Sequence, residues 1–111
     1  MLPNTKIPRA RTIEEYVDMV NQAIDETFDL RQSIEFDEEF MADARPLVDQ
    51  IEATLKEMYE SMKDGSYKFA TGELPFIALM KQYHEQMVPF RFLLKRINET
   101  HMKGLDISDQ D

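Results

Sequence analysis

A chain of 111 residues is long enough for one domain with its own core and too short for a two-domain enzyme. It has no cysteine, which excludes disulfides, thiolate metal sites and cysteine nucleophiles and fits a reducing compartment, so a cytoplasmic location is expected. With 22 acids against 13 lysines and arginines the net charge is −9, which speaks against nucleic-acid binding, since neutralising phosphates takes clustered cations.

That charge is divided by segment. Residues 1–11 carry +3, residues 12–64 carry −12, residues 65–104 carry +3 and residues 105–111 carry −3. The first eleven residues combine Pro3, Pro8 and the cations Lys6, Arg9 and Arg11 with few bulky apolar groups. They read as a flexible basic arm with no apolar run that could act as a signal-peptide core, and no window of the chain approaches a membrane span.

Thr12-Ile-Glu-Glu15 matches a capping box, in which the Thr hydroxyl and the Glu15 carboxylate satisfy free backbone N–H groups at a helix start. From there Ile13, Tyr16, Val17, Val20, Ala23, Ile24 and Phe28 recur at three- and four-residue steps, predicting a first helix to about Ile34 with Met19 and Leu30 off its stripe. A turn is expected over Ser33–Asp37, with Asp37 as the next N-cap. Phe40, Ala44, Leu47, Val48, Ile51, Leu55, Met58, Tyr59 and Met62 then keep one face of a second helix that Gly65 stops. The apolar positions stay in phase across Pro46, so a bend is expected there, with a fresh helix start at Pro46 as the alternative.

Residues 65–74 form a longer connection holding Tyr67 and Phe69, which either close the end of the bundle or meet a partner. Pro75 opens the third helix; Phe76, Leu79, Met80, Tyr83, Met87, Phe90, Leu94 and Ile97 line its core face, Pro89 should kink it, and Gly104 ends it. Residues 105–111 read as an acidic disordered tail. The expected architecture is all-α: a single domain over 12–104 forming an antiparallel up-down-up three-helix bundle with proline bends in helices 2 and 3, its helices about 33 to 42 Å long.

No motif announces chemistry. His84 and His101 are not spaced as an i, i+4 pair, and Lys81 and Asn98 stand where a di-iron bundle needs glutamate three residues before each histidine. An EF-hand loop beginning at Asp25 would place Leu30 at the glycine position and Phe36 at the bidentate glutamate. Gly65 and Gly72 lack phosphate-loop spacing, and Ser33, Ser61 and Ser66 have no histidine nearby in sequence. No enzyme activity, metal or cofactor is expected.

The third helix carries more apolar residues than one buried stripe requires. Ile77, Val88 and Phe92 fall on the side away from that stripe and Leu93 on its flank, with Arg91, Lys95 and Arg96 at the border. Aromatic and cationic groups together characterise protein interfaces. The expectation is therefore a small helical protein-protein interaction module, an adaptor, regulatory or chaperone-like factor. Its partner would be another protein or a second copy as a homodimer, bound through Ile77, Val88, Arg91, Phe92, Leu93 and Arg96, with Tyr67 and Phe69 as a second group. Two alternatives remain: an acidic-face electrostatic mimic that binds a basic, nucleic-acid-binding protein, and a small-ligand binder or enzyme with a pocket at the 65–74 loop.

Overall fold

A computed structural model describes residues 7–36 and 44–107, and over these the chain is helical with no strand. Four α-helices follow in order: α1 (Ile13–Phe36), α2 (Arg45–Asp64), α3 (Pro75–Met80) and α4 (Arg91–Lys103), with one 3-10 turn at Glu85–Met87. None of the described helices is long and apolar enough to cross a membrane.

The capping box forms at the start of α1. Thr12 Oγ1 accepts from the Glu15 N–H at 3.0 Å, and Glu15 Oε1 reaches back to the Arg11 N–H at 2.6 Å. The helix then buries Tyr16, Met19, Val20, Ala23, Thr27, Leu30 and Ile34. Met19 and Leu30, expected off the stripe, belong to it, whereas Ile13 and Phe28 are exposed. The reason is Thr27, which is fully buried and satisfies its hydroxyl by donating to the Ala23 carbonyl at 2.7 Å. Counting Thr27 as a core residue turns the stripe toward Met19 and Leu30 and away from Phe28.

α1 continues through Phe36, so the turn expected at Ser33 is still helical; Asp37 and Phe40 lie outside the described residues. α2 begins at Arg45 with Pro46 in its first turn, where the missing N–H interrupts no helical bond. Pro46 thus stands at a helix start rather than at a bend in mid-helix. At the other end Gly65 takes the left-handed conformation (φ 82°), and the Ser66 and Tyr67 N–H groups both donate to the Ser61 carbonyl. Arg31 of α1 bonds Asp49 at 2.9 Å and Glu52 at 2.7 Å on α2, while Ile13 lies near Ser61 and Met62. These contacts set the two helices in opposite directions.

The single third helix is not formed. Residues 74 and 98 of one helix would lie about 36 Å apart, yet the Leu74 N–H donates to Asn98 Oδ1 at 2.8 Å. α3 packs on α2 and α4 on α1 instead; the Leu74–Asn98 bond ties the start of α3 to α4, and residues 81–90 join the two helices. Gln82 and Tyr83 tighten the end of α3 with 3-10 bonds to the Leu79 and Met80 carbonyls. His84 then turns extended (ψ 143°), and its ring accepts from the Gln86 N–H. Val88, just before proline, is extended as well (φ −124°, ψ 96°). Pro89 lacks the N–H a continuous helix would need and its ring would strike the Glu85 carbonyl, so the chain leaves the helix instead of kinking within it. The fold closes Ile77 (5 % exposed) and Val88 (1 %) into the core, where each contributes about 1.5–3 kcal/mol by burial.

The arm expected to be flexible is docked over residues 7–11. Ala10 is fully buried; its N–H donates to Thr100 Oγ1 at 3.0 Å and its carbonyl accepts from the Asp106 N–H at 2.8 Å. Arg9 donates to the carbonyls of Lys103 and Gly104 at 3.0 and 3.1 Å, and Arg96 Nε donates to the Pro8 carbonyl at 3.1 Å. Residues 105–107 share in this docking, since the Asp106 carboxylate lies 3.8 Å from Arg9. The last carbonyls of α4, which no intrahelical N–H can reach, are what draw the Arg9 guanidinium in.

Candidate functional site

Two regions could meet another molecule, and the first is the connection over residues 65–74. Phe69 stacks on Tyr16 with ring centroids 5.9 Å apart, and Tyr67 meets both rings edge-on at 5.7 and 5.3 Å. Below them runs a polar chain: Tyr16 Oη donates to the Ile97 carbonyl at 3.1 Å, the two tyrosine hydroxyls are 2.9 Å apart, and Tyr67 Oη lies 2.6 Å from His101 Nδ1. Two hydroxyl protons cannot serve three contacts. All three are satisfied when Tyr67 donates to Tyr16 and His101 Nδ1 carries the third proton.

Burial pushes the Tyr67 hydroxyl up to about 12 and the Tyr16 hydroxyl higher still, so both stay protonated at neutral pH. Burial also pulls the His101 imidazole below its ordinary value. A cavity of about 330 Å³ opens beside this chain, with Ser61, Ser66, Lys68 and His101 in its lining. Its serines are committed elsewhere, Ser61 to the Met58 carbonyl at 2.7 Å and Ser66 to Asp64. Tyr67 therefore folds inward, half-buried against the core, while Phe69 lies over Tyr16 with its outer face exposed.

The second region is a groove between α3, α4 and the docked arm, a cavity of about 230 Å³. Ile7, Ile77, Met80 and Met102 supply apolar lining; Lys81, Arg91, Lys95, Glu73 and Glu99 supply the charge, with Asn98 between them. On α4 the residues Arg91, Lys95, Asn98 and Met102 follow at steps of four, three and four, which puts them on one face. Arg91 is paired with Glu85 at 2.8 Å, and Glu99 with Lys103 at 2.6 Å. Among the described residues neither the Lys81 nor the Lys95 ammonium has an ion-pair partner, nor does Glu73. The groove thus has an apolar floor and a lip on which the cations Lys81, Arg91 and Lys95 outnumber the acids Glu73 and Glu99.

The residues expected to form one partner surface are thus separated. Ile77 survives as groove floor and Val88 is core. Arg91 borders the groove, and Arg96 holds the arm through Pro8. Phe92 is exposed (55 %), on the face of α4 opposite its core stripe, and Leu93 is half-buried against the core. Lys81, Lys95, Met80 and Met102 were not among the expected contact residues. The i, i+4 spacing of Arg91 and Lys95 was legible, but the opposing wall at Ile77, Met80 and Lys81 exists only because the chain doubles back.

His84 caps the 3-10 turn, and Asp25 and Asp29 sit on the exposed surface of α1 rather than in a loop. Among the described residues no group of three or more His, Asp or Glu is placed to hold a metal ion. No protein-family model, curated protein or solved structure matches the chain.

Proposed function

We propose that the protein acts by binding a segment of another protein, taking a bulky apolar side chain flanked by carboxylates into the groove between α3 and α4. The observation that carries this reading is the pairing of an apolar floor, Ile77, Met80 and Met102, with the two unmatched ammonium groups of Lys81 and Lys95. Apolar burial supplies affinity at such a site, and the lip cations select and orient the ligand. Phe92, exposed on the same helix, extends the contact for a partner that reaches past the groove.

The test is selection of a displayed library of short peptides on the whole chain. Sequences with one large apolar residue beside Asp or Glu should be enriched, and Lys81→Glu together with Lys95→Glu should weaken the selected peptides by roughly tenfold. Raising the salt should weaken them in the same direction. Enrichment of peptides without acidic residues, or binding indifferent to the double reversal, would overturn the proposal.

A further inference from the structure

The partner chemistry that the groove asks for is present on this chain itself. Phe28 is 57 % exposed in the middle of α1 although the helix has a complete buried stripe without it. Asp25 lies one turn before it on the same face and Asp29 directly after it, and neither carboxylate has an ion-pair partner among the described residues. The nearest cation in sequence, Arg31, is already engaged by both Asp49 and Glu52. Phe28 is therefore an apolar knob in an acidic setting, the complement of an apolar-floored groove with unmatched lysines.

We infer that the groove between α3 and α4 receives Phe28 of a second copy of this chain, with Asp25 and Asp29 against Lys81 and Lys95. This rests on the groove reading above and names its occupant. Within one molecule the knob belongs to α1 and the groove to α3 and α4, so the contact joins two different patches. Such a contact closes a pair if each knob reaches the other's groove and otherwise grows head to tail. The division of charge along the chain favours either over like-with-like contact, because it opposes an acidic helix to a cationic lip.

Sedimentation equilibrium of the full chain is the test. The average mass should rise with concentration and fall back toward the monomer as salt is added. Phe28→Asp should keep the chain monomeric, as should the reversal of Lys81 and Lys95 to Glu, with helical circular dichroism retained in both. The decisive arm mixes two chains, one carrying Asp25→Lys and Asp29→Lys, the other Lys81→Glu and Lys95→Glu. Each alone should be monomeric, and the mixture should associate, since knob and groove charges match again across the two. A wild-type chain that stays monomeric at every concentration while still binding the selected peptides would overturn this inference and leave the groove reading standing. A chain that neither associates nor takes the peptides would overturn both. Association that survives Phe28→Asp, or a charge-swapped mixture that stays monomeric, would overturn the inference as well.

Discussion

The two ends of α4 are built on opposite terms. At the C-terminal end polar groups are tied in several ways: Thr100 accepts from Ala10, Arg9 covers the last carbonyls, His101 holds Tyr67, and the His101 carbonyl accepts from the Ala70 N–H. Toward the N-terminal end Lys95 lacks an ion-pair partner, as does Lys81 facing it, and Phe92 stands in water. The closed end shows how this chain satisfies its own groups when they serve the fold. Unmatched charge beside exposed apolar surface at the other end is what the proposed partner contact would use.

Substitutions that respect this contrast should split into losses of stability and losses of binding. The largest effect should come from Val88→Asp, which buries a carboxylate without a partner and should cost several kcal/mol, visible as loss of the cooperative melt. Phe92→Asp, four residues on, should leave the melt within about 0.5 kcal/mol of wild type. If Phe92→Asp also unfolded the chain, the open end would be core and the contrast would fail.

Next in size is Tyr16→Phe, which removes the bonds to the Ile97 carbonyl and to Tyr67 and should cost about 1–3 kcal/mol in a denaturant titration. Thr100→Val strands the buried Ala10 N–H and should cost a similar amount, about 1–3 kcal/mol, with faster amide exchange at Ala10. Tyr16→Phe should not alter peptide binding in the groove, and a shift in peptide affinity with that variant would show the two ends to be coupled.

The smallest effect is on pH dependence. Burial holds His101 below its ordinary 6.5, so the folded chain binds fewer protons there than the unfolded chain. Stability should be full above that value and decline as pH falls through the interval just below it. His101→Gln should flatten that decline in denaturant titrations; an unchanged slope would place its origin in other groups.

Much of the helical content was legible because its signals are local. Thr12 and Glu15 are three residues apart, Gly65 and Gly104 take positive φ at the helix ends where they were expected, and α2 keeps its apolar residues on one face. The α1 stripe was misjudged by a fraction of a turn, because a threonine that bonds its own backbone can be buried like an apolar residue. The docking of residues 7–11 and 105–107 was not legible for a different reason. Ala10, Thr100 and Asp106 are joined by hydrogen bonds spanning about ninety residues, and no local pattern records those.

Sequence alone therefore determined the helical class, the helix boundaries marked by Thr12, Gly65, Pro75 and Gly104, and the placing of excess apolar and cationic residues in the 75–104 region. Only the tertiary structure decided which of them face water. The residues from Phe76 to Leu94 carry more apolar groups than one stripe needs, which suits either one helix with two contact faces or two shorter helices packed separately. Val88-Pro89 cannot continue a helix, and the break lets α3 pack on α2 and α4 on α1, burying Ile77 and Val88 without a partner. That choice turns an expected flat surface into a groove, with Lys81 and Lys95 brought to one lip from helices that lie apart in sequence.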